Sequence, residues 1–286
     1  MRIAVAIPSR GRPTVLADAL RSLREQQRPA DEVWLAVTAP EDLPADVHDD
    51  STVRVVISPV GSALQRNAII DRLSADVDLV VFLDDDAELH PDYLARAAAF
   101  GRARPDVALF TGQVVVDGAA TGEIDRPTAR AALATAADSE LVTDGVPGYG
   151  CNMVARGDVA REVRFDDRLP LYAWLEDRDF SVRASRLGKV VRYSGCRAAH
   201  LGFSGGRCSG VRLGYQQVVR PWYLHDKGVL TRREASWFIA RAVAGNVLHA
   251  RSGRIDRPGR LRGNLHGLRD AVQAGADPAR VFQLAG

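Results

Sequence analysis

The chain opens with an apolar run, Ile3 to Ile7, that ends at Pro8, the pattern of a buried strand. Pro13 then starts a segment in which Val15, Leu16, Ala19, Leu20 and Leu23 recur on one helical face. Val33 to Val37 and Val53 to Ile57 read as further strands, the second closed by Pro59 and Gly61. Ser62 is placed to cap a helix carrying Leu64, Ala68, Ile69 and Leu73. Leu79 to Leu83 has no polar residue, so it is expected at the centre of a sheet covered on both faces. Pro91 begins a helix that runs to about Phe100. This alternation predicts an α/β fold with a mostly parallel sheet flanked by helices.

Val107 to Val116 reads as a longer strand, and Asn152 to Ala155 and Val190 to Tyr193 as short ones. Glu176 to Leu187 is expected to be a helix stopped by Gly188. Ala119 to Asp144, rich in Ala, Thr and Asp, shows no clear period. After Gln216 the pattern is helical throughout, with Trp222, Tyr223, Leu224, Trp237 and Phe238. The expected division is a body over 1–217 and a helical C-terminal segment over 218–286.

At 286 residues and 46% hydrophobic, the chain can bury a sizeable core. A net charge of +2 gives no global field for nucleic acid. The charge is uneven, however. Val218 to Gly286 holds twelve Lys/Arg against five Asp/Glu, a net +7, which leaves −5 for the rest. Such a tail suits an anionic lipid surface or substrate; the alternative is a solvated helical face. Cys151, Cys196 and Cys208 are odd in number and widely spaced, which fits a reducing compartment better than a disulfide framework. Charge enters the N-terminal stretch almost at once, so a signal peptide is not expected there. No run of about 18 uninterrupted apolar residues suggests a membrane span.

The chemistry gathers at two places. Asp84-Asp85-Asp86 follows the apolar strand Leu79 to Leu83 directly, where ligands of open α/β sheets bind. Adjacent carboxylates repel unless they hold a cation or are well solvated, and oxygen ligands suit Mg²⁺ or Mn²⁺ with substrate phosphates. The competing reading is an acidic turn leading to Pro91. Glu176-Asp177 lies just after Tyr172 and Trp174. Acidic residues in a first helical turn are ordinary partners of the helix dipole. The aromatic rings beside them are good platforms for a sugar, and a carboxylate there can serve as general base. His200 alone reads as a structural histidine, and Arg66 as either a surface charge or a phosphate contact.

In order along the chain these pieces resemble the inverting family 2 glycosyltransferases of GT-A fold. Ile3-Ala4-Val5-Ala6-Ile7-Pro8-Ser9-Arg10-Gly11-Arg12-Pro13 looks like their first strand and donor loop. Gly61 with Arg66-Asn67, then Val81 to Asp86 with Pro91, resemble the nucleotide-side helix and the DxD segment. Gly150-Cys151-Asn152 with Arg156, Phe165-Asp166, and Glu176-Asp177-Arg178-Asp179-Phe180 with Arg183 and Gly188 resemble the acceptor block. The match spans roughly Arg2 to Gly202, and its ordered combination is specific where no single motif is.

The resemblance implies a nucleotide-sugar half over about 1–117 and an acceptor half over about 118–217. It places Pro8, Arg10, Asp42, Arg66, Asp84 and Asp85 at the nucleotide, and Asp86 and His200 on Mn²⁺ or Mg²⁺. Asp177 becomes the base, with Glu176 as the alternative, and Tyr172 and Trp174 the acceptor platform. Relatives end the second strand with an Asp that reads the base; here Thr38-Ala39-Pro40-Glu41-Asp42 follows Val37, so that role is unassigned at the strand end, with Asp42 the one candidate for it. Ser9-Arg10 stands where relatives often carry Tyr-Asn. The implied reaction moves a sugar from a nucleoside-diphosphate donor to a saccharide, lipid-linked or other hydroxyl acceptor. The expected setting is the cytoplasm, with contact at the inner face of the membrane through the tail. The alternatives are a nucleotidyltransferase on a related scaffold and a non-catalytic sugar-binding protein.

Overall fold

The computed structural model describes residues 1–45, 47, 51–171, 174–203, 208–250 and 255–284. Tyr172 therefore lies outside the described residues. The chain divides into two compact units: Met1–Val60, Leu64–Phe165 and Phe180–Gly206 form the first, and Gly61–Ala63, Asp166–Asp179 and Arg207–Gly286 the second.

The first unit is a mixed sheet with helices. Its strands are β1 (Ile3–Pro8), β2 (Glu32–Val37), β3 (Val53–Ile57), β4 (Leu79–Leu83), β5 (Ala87–Leu89), β6 (Val107–Asp117), β7 (Val142–Asp144), β8 (Asn152–Arg156) and β9 (Lys189–His200). The order is β3-β2-β1-β4-β8-β6-β9-β5, with β7 also on β9. β3, β2, β1 and β4 run parallel. β8 enters antiparallel between β4 and β6, and β6 and β9 are parallel again. All of β1 and β4 is buried, as an apolar strand covered on both faces must be. Leu16, Leu20 and Leu23 of α1 (Pro13–Arg24) pack into the same cluster as Val5, Val33 and Val81. Each such leucine contributes about 1.5–3 kcal/mol by leaving water.

Several features depart from the reading of the sequence. The stretch after Ala119, where no element was assigned, contains a short helix α4 (Gly118–Thr121), α5 (Arg126–Thr135) and β7. Asp125 caps α5, and only Ala129 and Leu133 of that helix are buried, which leaves too thin an apolar stripe to see. The strand expected over Val190 to Tyr193 continues to His200. Its ladder with β6 jumps from Gly112↔Tyr193 to Gln113↔Arg197, a bulge that breaks the alternation of the sequence. Gly112 is required there: a Cβ would stand 2.3 Å from the carbonyl oxygen of Cys196. α3 (Tyr93–Ala103) and α6 (Gly157–Val163) complete the helices that lie wholly in this unit.

α2 (Ser62–Ile70) and α7 (Glu176–Ala184) each span the division. α7 ends at Ala184, short of the expected Leu187. The second unit holds three long helices, α8 (Gly210–Asp226), α9 (Arg232–Leu248) and α10 (Arg257–Gln273). α8 starts at Gly210 under a Ser209 cap, ahead of the Val218 boundary expected from composition. None of the described helices is long and apolar enough to cross a membrane.

Candidate active site

Asp84, Asp85 and Asp86 form the turn between β4 and β5, at the carboxyl end of the central strand. β5 then pairs antiparallel with the end of β9, setting Ala87 opposite His200, and Leu201 N–H donates to the Asp86 carbonyl oxygen. The bulge and this short ladder together carry His200 to the acidic turn. Ligand atoms of Asp84, Asp86 and His200 all lie within 4.8 Å of one another, the geometry of a divalent-cation site.

The imidazole is oriented from behind. His200 Nδ1 lies 2.8 Å from Asp117 Oδ1, and a carboxylate only accepts, so Nδ1 donates. Nε2 is left facing Asp86 Oδ1 at 3.4 Å. The Tyr149 hydroxyl donates to the other Asp117 oxygen at 3.0 Å. This carboxylate–histidine relay is the usual support of a metal-binding imidazole. Burial pulls the His200 pKa down, but the hydrogen bonds to Asp117 and Asp86 outweigh it and push the ion-free value up to about 10. Burial raises the Asp86 carboxyl, and the His200 contact more than offsets that, holding it below the ordinary range. Two carboxylates and an oriented imidazole, once it has lost its Nε2 proton, fit a divalent ion.

The neighbouring groups tie the donor loop to this turn. Asp85 is fully buried, and its carboxylate accepts from the Ser9 hydroxyl at 2.5 Å and from the Arg12 guanidinium. Burial pushes its pKa up to about 7 against the pull of Arg12. Arg66 is no surface charge: it is 1% exposed, and Nη2 donates to Asp84 Oδ1 at 2.9 Å and to the Gly150 carbonyl at 3.0 Å. Asp42 accepts from the N–H groups of Gly11, Thr38 and Ala39 and from the Thr38 hydroxyl. Those four donors fill the lone-pair sites of a carboxylate. Burial raises its pKa, and these donors more than reverse that. Asp42 thus stitches the loop after β1 to the loop after β2. Pro8 is buried at the end of β1, and Arg10 is exposed at the head of the donor loop.

The second unit builds its own constellation. Arg220 of α8, fully buried, donates to the carbonyls of Pro170 and Trp174. Tyr223 and Lys227 donate to Asp166 Oδ2 at 2.7 and 2.6 Å, and Lys227 Nζ is 2.7 Å from Asp179 Oδ1. Gln216, Arg220 and Tyr223 of α8, with Lys227 at its C-cap, recur at helical spacing, so one face of the helix supports Asp166, Pro170 and Trp174. Arg220 and Lys227 had counted toward a basic, solvent- or lipid-facing tail; here they serve those residues. Leu171 and Leu175 have φ of 63° and 74°, a conformation costly for leucine and typical of functional loops. Between them Trp174 meets Phe238 edge to face, with centroids 5.7 Å apart. Glu176 is buried and Asp177 half-buried at the first turn of α7, which makes Asp177 the more accessible carboxylate.

Ser9 and Arg12 stand in the donor-loop motif read from the sequence, whereas Asp117, Tyr149 and Arg220 carry no motif. Of those three, Asp117 has a local signal, a carboxylate closing an apolar strand just as Asp84 follows β4.

A family model described as glycosyltransferase like family 2 matches residues 1–143, and one described as glycosyl transferase family group 2 matches residues 79–236. The chain belongs to the family 2 glycosyltransferases, and it is a nucleotide-sugar-dependent glycosyltransferase. Among solved structures it is similar to residues 1–349 of TarS from S. aureus, at 15% identity and TM-score 0.57, covering 100% of this chain and 83% of that one. The same TarS fragment with UDP-GlcNAc aligns at 14% identity and TM-score 0.56, covering 100% and 84%. The mannosyltransferase PcManGT from Pyrobaculum calidifontis, in complex with GDP-Man and Mn²⁺, aligns at 15% identity and TM-score 0.55, covering 98% and 85%. At such identities the likeness is one of fold. No curated protein sequence matches the chain.

Proposed function

We propose that this enzyme transfers a sugar from a nucleoside-diphosphate donor to an acceptor hydroxyl with inversion, using one divalent cation held by Asp84, Asp86 and His200. The observation that carries this is the convergence of those three residues at the end of β4, with Asp117 orienting the imidazole. The nitrogen donor favours Mn²⁺ over the strictly oxygen-loving Mg²⁺. PcManGT, whose fold is similar, was solved in complex with GDP-Man and Mn²⁺. When bound, the ion neutralises charge developing on the diphosphate leaving group.

In this reading Arg12, held by Asp85, and Arg66, held by Asp84, lie beside the metal site, while Pro8 and Arg10 border the nucleotide. Asp42 and Asp85 act by fastening loops rather than by touching the base. Asp177 takes the proton from the acceptor hydroxyl, which attacks the anomeric carbon opposite the diphosphate. The carbon–oxygen bond to the diphosphate breaks as the new glycosidic bond forms, through an oxocarbenium-like transition state. Trp174 lies in the segment that receives the acceptor, a saccharide, a lipid-linked sugar or another hydroxyl compound used in glycoconjugate synthesis. A lipid-linked acceptor places the enzyme in the cytoplasm at the inner face of the membrane, reached through the helical tail. The test is a panel of nucleotide sugars with Mn²⁺, with the released product identified. Nucleoside diphosphate supports glycosyl transfer; pyrophosphate would make the enzyme a nucleotidyltransferase, and no turnover with any donor would leave a sugar-binding protein.

A further inference from the structure

α10 is built inside out. Its buried residues are Gly259, Gly263, Asn264 and Gly267, so the inward stripe is mainly glycine at intervals of four. A Cβ on Gly263 would stand 2.0 Å from the Val211 carbonyl oxygen, and one on Gly214 of α8 2.0 Å from that of Arg260. α8 and α10 therefore cross backbone against backbone, and only glycine permits it. Asn264 completes the crossing by donating to the Gly214 carbonyl at 2.8 Å.

This packing leaves the large apolar side chains outside. Leu265 is 68% exposed, Leu268 41% and Val272 86%. Spacings of three and four set them in one stripe along the outer face. A helix of a water-soluble domain ordinarily turns its apolar stripe inward. Arg262 and Arg269, both exposed, border the stripe. Four arginines and one acid lie on α10, and that acid, Asp270, accepts from the Tyr215 hydroxyl at 2.9 Å. On α9, Trp237 is 53% exposed, with the Arg241 guanidinium 5.2 Å over its ring.

We propose that the outer face of α10 lies in the interface of an anionic lipid bilayer, with Leu265, Leu268 and Val272 at the headgroup–acyl boundary and Arg262 and Arg269 among the phosphates. An apolar stripe edged by arginine is the composition that such an interface selects. A second copy of the chain is the poorer occupant: pairing this face with itself opposes arginines, and the one carboxylate on α10, Asp270, is engaged by the Tyr215 hydroxyl. The proposal deepens the membrane contact inferred above and rests on that reading of the tail.

The test is co-sedimentation of the full chain with phosphatidylcholine vesicles with and without phosphatidylglycerol, at low and high salt. The variants are Arg262→Glu/Arg269→Glu and Leu265→Ser/Val272→Ser, surface changes whose folding is checked by circular dichroism. The native chain should bind the anionic vesicles reversibly and release them in high salt. At about 1 kcal/mol per basic residue, the arginine variant should bind at least about 30-fold more weakly. The apolar variant should lose about tenfold or more. Equal recovery with neutral and anionic vesicles, or unchanged binding in both variants, would overturn the proposal. So would a dimer in light scattering that Leu265→Ser/Val272→Ser converts to monomer. Donor hydrolysis without vesicles, run on the same samples, reports on the glycosyltransferase reading separately, so either claim can fail alone.

Discussion

Asp117→Asn isolates the group that orients His200. The asparagine keeps the shape of the side chain and can still accept from His200 Nδ1, but without charge. A hydrogen bond to a charged partner contributes about 1.5–3 kcal/mol and a neutral one about 0.5–1.5, a difference of roughly 1–1.5 kcal/mol, or about tenfold. Loss of an outer partner of a metal-binding histidine weakens metal affinity about 10–100-fold, which brackets that figure. The variant should therefore bind Mn²⁺ about tenfold to hundredfold more weakly while keeping its fold. The pH dependence gives a second readout. Nε2 must lose its proton to bind an ion, and in the native protein that proton is held to about pH 10. Below that value the apparent affinity should rise by about tenfold per pH unit, with one proton released per ion. In Asp117→Asn the imidazole pKa falls, so proton release should shrink toward the alkaline end. Stability follows with the sign of a raised pKa: the His200 contribution is fully present below the unfolded value of 6.5 and is lost as pH rises through about 10. The ion-free variant should accordingly lose more melting temperature near neutral pH than in strong alkali. Calorimetric titration of Mn²⁺ in buffers of different ionisation enthalpy measures affinity and proton release together. An affinity within about twofold of native, with unchanged proton release, would refute the relay.

Two further outcomes follow. Asp177→Asn should keep nucleotide affinity and lose at least ~100-fold in transfer rate, the low end for a general base; near-native turnover would move the role to Glu176 or elsewhere. Arg220→Met should lower stability by roughly 2–4 kcal/mol, because the carbonyls of Pro170 and Trp174 lose a charged donor. It should also reduce kcat while leaving donor affinity near native, and a melting curve with steady-state kinetics checks both.

Much of the fold was legible because its strands and helices are regular. Ile3 to Ile7 and Leu79 to Leu83 are uninterrupted apolar runs, and both form buried strands. The acidic turn was legible because three carboxylates after such a run need an explanation. What stayed hidden depends on long-range register. The bulge that skips from Tyr193 to Arg197 breaks the alternation, so the sequence pattern ends well before His200. Asp117 meets His200 only through that pairing, and no local pattern in either segment anticipates it. The backbone partners of Asp42 join two loops that are distant in sequence, so they are visible only once the chain is folded. The tail misled in part because charge counting treats every arginine alike. Arg220 is buried against carbonyl oxygens and Arg262 is exposed, and helix phase decides between them.

The most direct test of the central claim is donor turnover with and without a chelator, on the native chain and on Asp86→Ala. With the nucleotide sugar found by screening, turnover should vanish in excess EDTA and return on adding Mn²⁺. Asp86→Ala should remain folded and inactive at any Mn²⁺ concentration. Full activity in EDTA, or native activity in Asp86→Ala, would contradict a metal-dependent transferase centred on Asp84, Asp86 and His200.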